Sequence, residues 1–150
     1  MKTTGHQWQI RLRQDGTKSR ISLLAALDQA LLAADPPKII RDSVRVIGDV
    51  LRVIDVSVKL GEFERVLVIG GGKASAGMAL EIERILGKRI TGGSVNIPVY
   101  TKPWPTSSRI AFNPATHPIP SQSGVRGVEN MLQLVGKPSR QDLVICLISG

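Results

Sequence analysis

Three glycines and a lysine carry the clearest chemistry in this chain. In Val66-Leu-Val-Ile-Gly70-Gly71-Gly72-Lys73-Ala-Ser75 an apolar run enters a glycine turn and then a helical pattern. Such a turn sets backbone N–H groups at the positive end of a helix, where anions bind, and Lys73 adds a full charge. The segment is not a Walker A loop, because Ala74 follows Lys73 where that motif needs Ser or Thr. Nor is it a complete dinucleotide fingerprint, since Ser75 stands at the third glycine position. A tight strand-to-helix turn with an exposed lysine is the reading these residues leave open beside an anion site. His117 lies in a loop stiffened by Pro114, Pro118 and Pro120, which suits presentation of an imidazole to a site, or a plain surface histidine. His6, in the polar N-terminal stretch, has no expected catalytic part. Cys146, in the middle of an apolar run, reads as a buried structural thiol, and Trp104 as a cover over apolar surface. Two histidines, one cysteine and scattered carboxylates give no metal-ligand spacing, so these residues predict no metal site.

Composition narrows the classes. The 150 residues are 42% hydrophobic and 3% aromatic, which excludes a disordered polar tail and a platform of base-stacking aromatics. The net charge of +8 is divided between residues 1–20 and 61–150, +4 each, with residues 21–60 neutral. No dense basic stripe results, so nucleic acid is not an expected partner; a diffuse excess suits small anionic substrates. One cysteine permits no internal disulfide, which fits a reducing compartment. The longest apolar runs, such as 143–148, fall far short of the roughly 20 residues of a membrane span. Residues 1–16 lack the apolar centre of a signal peptide. The expectation is a cytoplasmic protein without a membrane partner.

Several elements must hold the glycine turn in place. Residues 1–18 are polar and aperiodic and read as a loose arm. From Ser19, Leu24, Leu27, Leu31 and Ala34 recur at helical steps. Asp35 before Pro36 is an N-cap followed by proline in the first turn, which predicts a second helix over about residues 36–45. Two β-branched runs around Gly48-Asp49 predict an antiparallel hairpin over 44–60. Residues 65–69 predict a strand buried on both faces, and residues 73–86 a helix stopped by Gly87, with Met78, Ile82, Ile85 and Leu86 inward and Glu81 and Arg84 in water. Alternation at Val95, Ile97 and Val99 predicts a half-buried strand ending near an edge at Pro98. A loop over 101–108, a short strand over 109–112, a proline-rich loop to Ser121, a helix striped by Val125, Val128, Leu132 and Val135, and a buried strand over 142–148 follow.

From residue 65 the order is thus β-α-β-β-α-β. That order predicts an α/β fold, a Rossmann-like and largely parallel sheet with flanking helices, preceded by two helices and a hairpin. The strands over 66–69 and 143–148 should be parallel neighbours, apolar on each face. A strand running into Ser149-Gly150 is where such a fold enters a site loop. Residues 19–150 therefore read as the N-terminal portion of a longer domain, incomplete by itself, self-associating and inactive if taken alone.

Four segments, in order across about residues 20–150, resemble the glycerate 2-kinases, the glycerate kinases related to tartrate-utilisation proteins once labelled hydroxypyruvate reductases. Arg65-Val-Leu-Val-Ile-Gly-Gly-Gly-Lys73-Ala-Ser resembles that family's V-x-G-x-G-K-A segment, and ALDQALLAADP its opening helix. Thr116-His117-Pro118-Ile-Pro120 resembles its G-H-P-x-P loop, with Thr116 where glycine is usual and Ser121 where aspartate often follows. Asp142 to Gly150 resembles its strand leading into a Ser-Gly-Gly-Gly-Ser loop.

The resemblance implies phosphoryl transfer from ATP, with Mg2+ or another divalent cation, to the 2-hydroxyl of D-glycerate, giving 2-phosphoglycerate. It implies that the chain is roughly the first third of such a protein, with the rest of this domain and a second domain lying outside it. By motif, Lys73 is the catalytic residue and holds a substrate carboxylate or phosphate in an interdomain cleft. Gly70, Gly71, Gly72 and Ser75 bind phosphate or substrate beside it, His117 borders the cleft, and Ser149 and Gly150 open a second anion loop. The partners expected are ATP and D-glycerate, and a homo-oligomer is compatible with them. Two other readings stay open: an NAD(P)-dependent hydroxypyruvate reductase and a non-catalytic nucleotide- or sugar-phosphate-binding module. A dehydrogenase wants an acid at the end of the second strand for the ribose, and residues 94–100 carry none.

Overall fold

Two sheets and four α-helices make up residues 18–149, the part of the chain that the computed structural model describes. The loose arm expected at the N-terminus falls almost wholly outside the described residues. Helix α1 (Lys18–Ala33) leads into α2 (Pro36–Ser43), and the Asp35 carboxylate accepts from the Lys38 N–H at 3.2 Å, as its N-cap position requires. Of the α1 stripe only Leu24 is buried; Leu27 and Leu31 are exposed.

The expected hairpin is a three-stranded meander: β1 (Val44–Ile47), β2 (Val50–Val53) and β3 (Val56–Lys59). Its first turn is the Gly48-Asp49 one, with Gly48 at φ +60°. The second holds Ile54 at φ +52°, a conformation that a β-branched residue adopts at a cost and does not advertise in sequence. A short 3-10 turn (Leu60–Glu62) then delivers the chain to the main sheet.

That sheet is parallel, in the order β6-β5-β4-β7. Its strands are β4 (Arg65–Gly71), β5 (Gly92–Pro98), β6 (Ile110–Ala115) and β7 (Asp142–Ile148). The expected pairing of 66–69 with 143–148 is present, in the register Val66↔Leu143 to Gly71↔Ile148. Helix α3 (Ser75–Leu86) lies on one face, α4 (Gln122–Val135) on the other. Val68, Ile90, Val95 and Ile97 are fully or almost fully buried and, with Ala79, Ile82 and Leu86 of α3 and Val44, Leu51 and Leu60 of the meander, form the core. Each buried Val, Leu or Ile side chain contributes about 1.5–3 kcal/mol by leaving water.

Four local expectations are corrected. Strand β5 is internal rather than near an edge; Pro98 ends it, and the Val99 N–H makes the bond to Ala115 O at 3.0 Å instead. Glu81 is not in water but 7% exposed, where it accepts from Arg41 Nε (3.0 Å) and Arg84 Nε (2.8 Å) and so ties α2 to α3. Strand β7 is an edge strand, and only one of its faces is covered: Cys146 and Ile148 are exposed. Val125, Val128 and Leu132 of the α4 stripe are exposed as well, with Val135 half-buried, because the helix meets the sheet through Gly124, Gly127, Met131 and Leu134.

Candidate functional site

The carboxyl ends of all four parallel strands converge on one cleft of about 240 Å³. Strand β4 contributes Gly72 and Lys73, β5 contributes Asn96 and Pro98, β6 contributes Ala115, Thr116 and His117, and β7 contributes Ser149. From β4 the chain runs through α3 to β5 and β6 on one side, and α4 later returns it to β7 on the other. The crevice between β4 and β7 is therefore the topological switch point, where open α/β sheets bind ligands.

The glycine turn is built by contact with β7. A Cβ on Gly70 would overlap the Leu147 carbonyl, and one on Gly72, whose φ is +125°, would overlap the Ser149 carbonyl and hydroxyl. Only glycine lets the two strand ends come this close. The Ser149 N–H donates to Gly71 O at 3.2 Å, and Ser149 Oγ accepts from the Ala74 N–H at 2.9 Å. Strand β7 and the turn are thereby clasped together.

Helix α3 begins at Ser75, two residues later than the sequence suggests, so Lys73 sits in the turn ahead of the helix. Its side chain is exposed and has no ion pair among the described residues. Ser75 is fully buried, with its hydroxyl against Gly72 O (2.7 Å) and Asn96 O (2.8 Å). It touches the cleft only through the turn it fixes. The Ala74 and Ser75 N–H groups are also engaged internally, to Ser149 Oγ and Gly72 O. The turn thus offers a ligand the Lys73 ammonium more than a ring of free amides.

His117 lies exposed on the opposite wall, in a loop braced by Thr116 Oγ1 donating to Ile119 O at 2.5 Å. Lys73, His117, Gly72 and Ser149 are thus brought together; Gly70, Gly71 and Ser75 support them from below, and Gly150 lies outside the described residues. Sequence reasoning missed Asn96. Its Nδ2 donates to Gly124 O at 2.9 Å, holding α4 to β5, while its buried Oδ1 packs against Gly127 without a hydrogen-bond partner. The available signal was a lone carboxamide near the carboxyl end of a strand whose other residues are small or apolar. No carboxylate lines the cleft, and no cluster of metal-ligating side chains exists among the described residues. Cation without counter-charge suits an anionic ligand; a divalent metal finds no ligand set here.

Fold and cleft define a doubly wound α/β protein with a cationic crevice at its switch point. Residues 22–150 match the family described as a domain of unknown function, DUF4147. The chain belongs to that family, of the glycerate kinase type, and corresponds to its N-terminal region. A glycerate 2-kinase of Pyrococcus horikoshii is 34% identical over 130 residues, 85% of this chain and 28% of that protein. A putative hydroxypyruvate reductase of Agrobacterium vitis is 37% identical over 86 residues, 57% of this chain and 22% of that one. A D-glycerate 2-kinase of Thermotoga maritima is 30% identical over 87 residues, 58% of this chain and 21% of that one. The crystal structure of the PH0495 protein from Pyrococcus horikoshii OT3 superposes with a TM-score of 0.74 at 29% identity, covering 90% of this chain and 30% of that one. The chain thus spans between a fifth and a third of the length of these relatives. No helix among the described residues is long and apolar enough to cross a membrane.

Proposed function

We propose that this chain is the N-terminal part of a glycerate 2-kinase, which transfers the γ-phosphoryl group of ATP to the 2-hydroxyl of D-glycerate to give 2-phosphoglycerate. The observation that carries the reading is the unpaired Lys73 ammonium at the switch-point cleft, in a family whose named relatives include glycerate 2-kinases. Phosphoryl transfer asks for little covalent chemistry from the protein and much fixed positive charge near the oxygens that gain charge. Lys73 supplies such a charge from a turn that Ser75 and Ser149 hold rigid, and it suits a glycerate carboxylate or a transferring phosphate. His117, on the facing wall, is a donor toward the same anion. The described lining of the cleft carries no carboxylate, so this part of the chain offers no ligand set to a divalent cation accompanying ATP.

The name hydroxypyruvate reductase among the relatives supplies the competing reading. Coupled assays on the purified full-length protein separate the two: glycerate-dependent ADP formation supports the kinase, and NADH oxidation by hydroxypyruvate alone sinks it. Within the kinase, Lys73→Ala is expected to lower kcat/KM for glycerate by about a hundredfold or more, as for removal of one preorganised charge donor. Lys73→Arg should restore it in part, because a planar fork replaces a compact ammonium. Near-wild-type kinetics for Lys73→Ala would reduce Lys73 to a turn residue.

A further inference from the structure

One residue joins the two walls of the cleft. Asn96 stands near the carboxyl end of β5, in register with Gly71 of β4 and Asn113 of β6. Its main-chain oxygen shares the Ser75 hydroxyl with Gly72 O, at 2.8 and 2.7 Å, and so is tied to the turn that carries Lys73. Its side chain reaches the other way. Nδ2 donates to Gly124 O at 2.9 Å, at the start of α4 (Gln122–Val135), and α4 directly follows the loop that carries His117. That loop is fixed at its near end too, by the Val99 N–H donating to Ala115 O at 3.0 Å. Lys73 on one wall and His117 on the other are therefore both referred to the end of β5.

The clasp has costs. Asn96 Oδ1 is buried without a hydrogen-bond partner, the one such side-chain atom among the described residues, and a buried acceptor left unpaired is unfavourable. The opposite orientation of the carboxamide would set Oδ1 against Gly124 O, acceptor to acceptor, and lose the bond to α4. Helix α4 makes room for the side chain with Gly127, where an alanine methyl would stand 1.8 Å from Oδ1. Glycine inside a helix is itself less favourable than alanine. Both costs serve a single close approach, that of α4 to the end of β5. Asn96 lines the cleft, yet its Nδ2 is engaged and its Oδ1 is covered, so it offers a ligand no free polar group of its side chain.

We propose that Asn96 is a positioning residue: it fixes the separation of the Lys73 and His117 walls, so that the ammonium and the imidazole address one anionic group. For turnover, the proposal rests on the reading of the cleft as a glycerate kinase site. Misplacing a group by about 1 Å can cost about a hundredfold in rate, so a clasp beneath the walls acts on catalysis without touching substrate.

Two substitutions loosen the clasp from opposite sides. Asn96→Ala removes the carboxamide. Gly127→Ala keeps it and pushes α4 away, at a position outside the cleft lining where helix propensity favours alanine. In the purified full-length protein, with circular dichroism as the folding control, each should lower kcat/KM for glycerate-dependent ADP formation by about tenfold or more. The double variant should be no worse than Asn96→Ala alone, because the methyl then has no carboxamide to strike. In a His117→Ala background, Asn96→Ala should cost less than about threefold, whereas a merely structural loss would add in full. Hydrogen exchange followed by mass spectrometry needs no substrate: amides of residues 121–128 should exchange about fivefold faster or more in both variants, with those of 65–71 unchanged. Near-wild-type kinetics for both single variants, or a loss that adds in full to that of His117→Ala, overturns the proposal and leaves the kinase reading standing. A wild type without glycerate-dependent ADP formation refutes the kinase reading; exchange over 121–128 then decides the clasp by itself, faster in both variants if it stands and unchanged if it falls.

Discussion

Replacing Gly72 by alanine tests the clasp between the glycine turn and β7. Two costs add at this position. One is conformational: φ is +125°, where L side chains are rare, and holding a residue there costs about 1–3 kcal/mol. The other is steric: the new methyl would overlap the Ser149 carbonyl and hydroxyl, and the carbonyl belongs to backbone that moves only with the end of β7. Relief requires Ser149 to retreat, which breaks its N–H bond to Gly71 O and the Ala74 N–H bond to its hydroxyl. At about 0.5–1.5 kcal/mol each, these bonds add about 1–3 kcal/mol. Gly136→Ala is the control. It also has positive φ (+60°), but the nearest atom to its Cβ lies at 3.8 Å, so it carries the conformational cost alone. Urea unfolding followed by circular dichroism reads the difference: with a slope of about 1–3 kcal/mol per molar, Gly72→Ala should unfold about 1 M earlier than Gly136→Ala. It should also lose activity, since Lys73 moves with the turn. Equal midpoints for the two variants would refute the clasp.

Glu81 should make stability depend on acid. Hydrogen bonds from Arg41, then Arg84, push its carboxyl down to about 2 from an ordinary value of 4.5, so its contribution is full above about pH 4.5 and fades as pH falls toward 2. Glu81→Gln should cost about 1–3 kcal/mol at pH 7 in chemical denaturation, and reduce the slope of stability against pH in that acid window. A residual slope will remain from Asp142, which Arg65 holds below the usual carboxylate range. An unchanged acid slope would show that Glu81 does not tie α2 to α3. Ser75→Ala removes the one buried hydroxyl donor shared by the Gly72 and Asn96 carbonyls, leaving Gly72 O only the residue 75 N–H, and should cost about 1–3 kcal/mol, again read by denaturation; a variant as stable as wild type would free Ser75 from its assigned structural part.

Much of the fold was legible because it rests on local rules. Asp35-Pro36 started a helix, Gly87 and Gly136 ended two, and an apolar run bounded by glycines gave the central strand. Those signals depend on backbone freedom and capping chemistry, which are properties of a few adjacent residues. The meeting of Lys73, His117 and Ser149 was legible for a related reason: each follows a strand of one parallel sheet, and parallel strands end on one side.

Tertiary structure decided the rest. The third strand of the meander was hard to see because its turn places β-branched Ile54 at positive φ, which pairing with β2 enforces, and Asp55 alone marks the turn in sequence. Ser75 and Asn96 had no reading as turn and helix anchors until β5 was placed beside β4, because their partners lie 21 and 28 residues away. An apolar stripe such as Val125, Val128 and Leu132 tells that a helix has something to bury, not which body buries it. On α4 the sheet is met by two glycines, whose missing side chains allow the close approach, and the valines and the leucine are left over for another surface. Periodicity is a property of one element, whereas burial belongs to the pair of surfaces that meet.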